Sequence, residues 1–297
     1  MNEVVTVPLF HRYVAIGDSL TEGLGDDRFG WDRTHAGWAD RLAAILYESN
    51  RCAGKTLTYA NLAVRSRKLE HIMTDQLEHA LNLAPDLVSV MAGGNNLWRS
   101  GIDWGQLKDT YRRGLGRLRD AGITVLVANS FNPVHVRAFA VARSRAARLT
   151  EMIETVAAEM DCHVIDLFRA PLLHDVRAWA RDRVHFGGGA HSHIANMAAD
   201  ALGVPSRIQT PEHEMLAQAR LSRFDWLTWV SRDVTPYFLR VARGVTAGDR
   251  VVAKRPQLSA VDDHPWSIRE TASLPTVRPT LSHAQPKPDT PQLAFTA

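Results

Sequence analysis

A serine hydroxyl is a weak nucleophile near neutral pH. It becomes effective when an imidazole takes its proton and a carboxylate orients that imidazole. The segment Val14-Ala-Ile-Gly-Asp-Ser-Leu-Thr-Glu-Gly23 sets Ser19 directly after an apolar run, preceded by Gly17 and Asp18. In open α/β sheets, sites form at the carboxyl ends of strands. The same Asp-Ser pair also suits a helix N-cap, so this segment alone leaves both readings open. A carboxylate and an imidazole stand three residues apart in Arg181-Asp-Arg-Val-His-Phe186, just before Gly187-Gly-Gly189. Within one turn Asp182 can reach one ring nitrogen of His185 while the other faces a substrate; the alternative is an exposed polar turn ahead of a helix. His191 and His193 follow closely. Without a positioned carboxylate partner they read as helix-surface residues rather than metal ligands.

Two further segments offer hydrogen-bond donors. Val90-Met-Ala-Gly-Gly-Asn-Asn-Leu97 ends a second apolar run in two glycines and two asparagines. The amide of Asn95 is a neutral donor suited to a developing oxyanion, and one such donor is typically worth about 10²–10³ in turnover. Asparagine-rich turns also cap helices, which is the structural alternative. Asn61-Leu-Ala-Val-Arg-Ser66 follows a third apolar run and offers a backbone N–H to the same oxyanion.

The elements that would hold these residues follow from the pattern of apolar side chains. Short apolar or β-branched runs at 13–17, 57–62, 87–91, 124–129 and 163–167 predict five strands. Between and after them, segments near 37–50, 69–83, 104–121, 138–160 and 190–202 carry helical periodicity. In the fourth, Val141, Ala142, Leu149, Met152, Ile153 and Val156 recur at spacings of three and four, with arginines largely on the other face. This alternation predicts one α/β domain over residues 1–204, with a parallel sheet covered by helices.

Gly17-Asp-Ser-Leu with Glu22-Gly23, Asn61 to Ser66, Gly93 to Asn95, and Asp182 to His185 together resemble the four sequence blocks of the GDSL/SGNH hydrolase family. Order, approximate spacing and placement at strand ends all agree, over roughly residues 12–202. The resemblance implies a flavodoxin-like three-layer α/β/α sandwich with a five-stranded parallel sheet. It implies Ser19 as nucleophile, His185 as base and acid, and Asp182 as the group that orients His185. Asn95 is implied as the side-chain oxyanion donor, joined by the backbone N–H groups of Ser19 and Ser66. The implied activity is hydrolysis of a small-molecule carboxylic ester through an acyl-enzyme, with no cofactor and no metal. Two other readings stay open: acyl transfer by the same triad, and a weakly catalytic binding protein on a hydrolase fold.

The sequence departs from the family pattern twice. Ser66 stands where the family usually has glycine, which costs about 1 kcal/mol if the backbone there needs a positive φ. Asn96 replaces an aspartate whose family role is structural. No Gly-x-Ser-x-Gly surrounds Ser19, so an α/β-hydrolase nucleophile elbow is disfavoured. A Gly-x-Gly-x-x-Gly fingerprint and a Walker loop are absent as well.

Composition fits this reading. Of 297 residues, 45% are hydrophobic and 23% charged, which excludes a fully disordered or collagenous chain. Charged residues interrupt every apolar run before it reaches spanning length. The net charge of +3 sits entirely beyond residue 204, where 12 basic residues oppose 9 acidic ones, and no dense basic run points to nucleic acid. Cys52 and Cys162 are expected to be reduced core thiols. The first sixteen residues lack a secretory pattern, so a cytoplasmic location is the default expectation.

Beyond the domain, residues 205–253 are expected to form a helical appendage. Within it, 212–243 interleaves Phe224, Trp226, Trp229, Tyr237 and Phe238 with five arginines. Such a segment either docks on the domain or makes weak contact with a membrane surface or partner. Residues 254–297 hold 7 of the 14 prolines and are expected to be a disordered tail. Oligomeric state leaves no trace in the sequence. Phe29, Trp31 and Trp38 serve either an apolar acyl chain or the core.

Overall fold

A computed structural model describes residues 7–26, 36–99, 101–136, 139–205 and 246–262. Most of the expected appendage, the tail beyond residue 262, and both Phe29 and Trp31 lie outside the described residues. The five expected strands are present as β1 (Arg12–Gly17), β2 (Thr58–Asn61), β3 (Leu87–Met91), β4 (Thr124–Ala128) and β5 (His163–Ile165). They pair in parallel in the order β5-β4-β3-β1-β2.

Strands buried on both faces must be apolar at successive positions. In β1, Tyr13 and Ala15 join one core cluster, whereas Val14 and Ile16 join the other. The first cluster is covered by α2 (Trp38–Cys52) and α7 (Gly188–Ala201). The second is covered by α3 (Leu69–His71), α4 (Leu77–Asn82), α5 (Trp104–Asp120) and α6 (Ala140–Glu159). The result is the expected three-layer sandwich. Trp38 is fully buried among these core residues.

The sheet carries one strand more than expected. β6 (Arg255–Ala260) lies antiparallel outside β2, within the stretch that its proline content assigned to the tail. Pro256 is tolerated because β6 is an edge strand whose register shifts opposite Tyr59 and Asn61. The cysteines differ as well: both are free thiols, but Cys52 is exposed and Cys162 half-buried rather than core. Burial raises the Cys162 thiol to about 11.

The order of the strands determines where a site forms. From β1 the chain moves outward to β2, then crosses back to β3 on the other side of β1. The crevice at the carboxyl ends of β1 and β3 is the switch point at which doubly wound sheets bind ligands. Ser19 follows β1, and Asn95 follows β3.

Candidate active site

β1 ends at Gly17, whose N–H and C=O are both held by the side-chain amide of Gln76, at 2.8 and 2.9 Å. Gln76 closes a π-helical turn, Ile72–Gln76, between α3 and α4, and that widened turn carries it to the strand end. One residue later, Asp18 caps α1 (Ser19–Glu22) by accepting the Leu20 N–H at 3.1 Å. Ser19 thus opens α1 at the strand end, half-exposed in a cleft. Asp18 therefore provides the cap, while Ser19 lines the cleft.

Asp182 and His185 do share one turn. Ala180 N–H donates to the His185 carbonyl at 2.8 Å, and an antiparallel bridge pairs Trp179 with Phe186, so the turn is closed at its base. Asp182 Oδ1 accepts the N–H groups of Val184 and His185, each at 3.0 Å. Its Oδ2 lies 2.5 Å from His185 Nδ1. Burial alone would raise the Asp182 carboxyl, but the bond and charge of His185 and the two backbone donors outweigh it and hold the group at about 2. A carboxylate ionised across the physiological range fixes the proton on Nδ1 and leaves Nε2 as the basic nitrogen.

Two supports position this turn. Arg183 sits at φ 57°, a left-handed conformation for a residue with a side chain, and its carbonyl is bonded by His135 Nε2 at 3.1 Å. The His135 ring stacks on Trp179 at 3.8 Å, and burial lowers its pKa to about 4, so it is neutral above that pH. On the other side lies Gly25, at φ 92°. A Cβ at that position would stand 2.8 Å from the His185 Cβ, so only glycine lets the loop after α1 pack directly against His185. That loop is tied in turn by His191, which is fully buried rather than on the helix surface as expected. Its Nδ1 accepts the Trp38 N–H at 3.1 Å, and its Nε2 donates to the Leu24 carbonyl at 3.3 Å. Burial lowers His191 to about 3, consistent with a neutral ring doing structural work. Ser19 Oγ and His185 Nε2 are not hydrogen-bonded in this structure.

Of the expected oxyanion donors, Ser19 and Asn95 line this cleft. Ser66 has φ 63°, so the position where glycine was expected does require the left-handed backbone. The N–H groups of Ser19 and Ser66 donate to no acceptor among the described residues. The Asn95 amide, by contrast, donates to Asp18 Oδ2 and to the Arg67 carbonyl, both at 2.9 Å. Both of its bonds are thus made within the protein. Asn96 is structural: its Oδ1 accepts the Leu69 N–H at the start of α3, and its Nδ2 donates to Glu70. Burial raises Asp18 to about 6, partly offset by the Leu20 N–H and the nearby His185.

Apolar side chains wall the cleft beside Ser19, including Leu20, Leu97, Trp98, Phe131 and Phe139. Trp98 is 42% exposed and packs edge-on against Phe139 at 5.2 Å. Among the described residues, no group of three or more His, Cys, Asp or Glu could hold a metal ion. Among them also, no helix is long and apolar enough to cross a membrane.

Comparison with known proteins supplies a family and agrees with the fold. Residues 15–192 match the model of the GDSL-like Lipase/Acylhydrolase family. The fold is similar to that of an α/β hydrolase from the metagenome of Lake Arreo, Spain, with 20% identity, TM-score 0.53, and 69% of this chain and 100% of that one covered. An acetylxylan esterase from Geobacillus stearothermophilus is similar at 16% identity and TM-score 0.54, over 69% of this chain and all of that one. A GDSL-like lipase described from Parabacteroides merdae is similar at 16% identity and TM-score 0.57, over 68% and 99%. No curated protein matches the chain in sequence. At such identities the structural likeness carries the fold alone.

Proposed function

Because the chain belongs to the GDSL-like lipase/acylhydrolase family, a family of ester-cleaving hydrolases, we propose that it is a serine esterase acting through an acyl-enzyme on small carboxylic esters. The observation that carries this reading is the 2.5 Å contact between Asp182 and His185 Nδ1, on a turn whose Arg183 and Val184 line the cleft that Ser19 also lines. Ser19 Oγ attacks the ester carbonyl while His185 Nε2 takes its proton. Asp182 stabilises the imidazolium that forms. Charge developing on the carbonyl oxygen is met by the backbone N–H groups of Ser19 and Ser66 and by the Asn95 amide. His185 returns the proton to the leaving alcohol, then activates the water that releases the acid.

The apolar lining beside Ser19 favours an apolar acyl group over a charged one. Acetyl ester removal is the activity named for one of the structural relatives, and a short acyl chain is our expectation here too. The test is hydrolysis of p-nitrophenyl acetate, butyrate and octanoate by wild type, Ser19→Ala and His185→Ala. Saturable turnover that falls by about 10³-fold or more in both variants supports the reading. Equal turnover in Ser19→Ala removes it, and product formed only with an added acceptor alcohol replaces hydrolysis by acyl transfer.

A further inference from the structure

The family match ends at residue 192, yet a segment more than fifty residues later reaches the oxyanion side of the site. β6 pairs with β2, which leads into the loop that ends at Ser66. Immediately before β6, Lys254 Nζ donates to the Glu22 carbonyl at 2.7 Å, at the end of the turn that begins with Ser19. It also pairs with Asp40 Oδ2 at 2.6 Å, and both side chains are only 7% exposed. Asp40 Oδ2 in turn accepts the Gly37 N–H at the start of α2. A buried cation is costly unless its partners are well placed, so this site pins three segments together.

The second contact lies on the loop itself. Glu22 Oε2 accepts the Arg65 N–H at 2.8 Å, and both carboxylate oxygens bond the Arg65 guanidinium. Arg65 therefore cannot move without Glu22, whose carbonyl Lys254 holds. Gly248, in the turn before Lys254, lies so close that a Cβ there would collide with the Arg65 carbonyl oxygen. The peptide unit pressed by Gly248 is the one that carries the Ser66 N–H, at a residue whose left-handed φ gives it little freedom to adjust.

We propose that residues 246–262 are a positioning strap, in which Gly248 and Lys254 hold the Arg65–Ser66 peptide and the end of α1 so that the Ser19 and Ser66 N–H groups point at one oxyanion. This rests on the esterase reading above. Gly248 and Lys254 are positioning residues and touch no substrate. The strap acts on the transition state, where the oxyanion exists, and leaves substrate binding in the apolar cleft unchanged.

The experiment compares full-length wild type, Gly248→Ala, Lys254→Met and a control, Val252→Ser, in which an 84% exposed residue of the same segment is replaced. Turnover of p-nitrophenyl acetate is measured together with the affinity of an alkylboronic acid, which forms a tetrahedral adduct on a reactive serine. A donor displaced by part of an ångström should lower kcat by about 10–100-fold in both strap variants. KM should stay within about threefold, boronate affinity should weaken in step with kcat, and the pH profile of kcat/KM should keep its midpoint. Val252→Ser should match wild type. Folded strap variants with kcat within twofold of wild type would show that β6 only closes the sheet edge, and the proposal would fall. A loss confined to KM would overturn it equally. If Lys254→Met does not fold, Gly248→Ala decides the matter alone. Wild type without Ser19-dependent turnover would instead refute the esterase reading itself.

Discussion

Asp182→Asn separates orientation of the imidazole from mere filling of the turn. In the wild type, Asp182 Oδ1 accepts two backbone N–H groups at 3.0 Å and Oδ2 faces His185 Nδ1 at 2.5 Å. An asparagine has one acceptor oxygen, and the two fixed backbone donors claim it. Its NH2 group then faces Nδ1 and donates, so the imidazole proton moves to Nε2. That nitrogen can no longer accept the Ser19 proton. The equivalent change in another serine triad costs about 10⁴ in kcat, or about 5 kcal/mol of transition-state stabilisation. The two backbone N–H donors keep an acceptor oxygen at residue 182, so the fold should lose only about 1–2 kcal/mol, the difference between charged and neutral hydrogen bonds. The ionised carboxylate is held at about 2, below its ordinary 3.8, so this stabilisation is present above pH 4 and vanishes as pH falls through 2. The assay is steady-state kcat on p-nitrophenyl acetate alongside urea unfolding at pH 7. Asp182→Asn within tenfold of wild-type kcat, with the fold intact, would refute the tautomer argument.

Asp18 makes the opposite prediction for stability. Burial lifts it from 3.8 to about 6, so its ionisation destabilises the folded state, an effect absent below pH 4 and complete above pH 6. About two pH units at 1.36 kcal/mol each give about 3 kcal/mol. Unfolding free energies of wild type relative to Asp18→Asn should therefore fall by about that amount between pH 3.5 and 7, and a flat difference would contradict the burial argument. Ser66→Gly should relieve the strain of φ 63°, worth about 1–2 kcal/mol, against about 0.5–1 kcal/mol of added chain entropy. Because the N–H donor stays, kcat should remain within threefold; a tenfold loss would assign a role to the serine side chain.

Much of the frame could be read in advance because parallel strands and their helices announce themselves by apolar period. The strand at 87–91 and the helix at 104–121 match β3 and α5 to within one residue. Ser19, Asp182, His185, Asn95 and Ser66 lay in short blocks whose order resembled a known family; the fold sets Ser19 and Asn95 in one cleft and joins Asp182 to His185 on one turn. What escaped notice was long-range or irregular. Gln76 reaches Gly17 only because a π turn widens the helix, which no 3.6-residue pattern reveals. His191 was hidden because burial depends on how α7 docks against α2. β6 was masked by Pro256 and by the proline-rich stretch around it, although an edge strand tolerates proline where a central one does not. Lys254 stands 232 residues from Glu22, and only the tertiary fold brings 22, 40 and 254 together.

The central claim is that Ser19 is the nucleophile and that His185 activates it. The most direct measurement is intact-protein mass after brief exposure to a fluorophosphonate, followed by peptide mapping. One adduct on Ser19 is predicted, absent in Ser19→Ala and formed at least 10²-fold more slowly in His185→Ala. Labelling at another residue, or equal labelling in Ser19→Ala, would contradict the account.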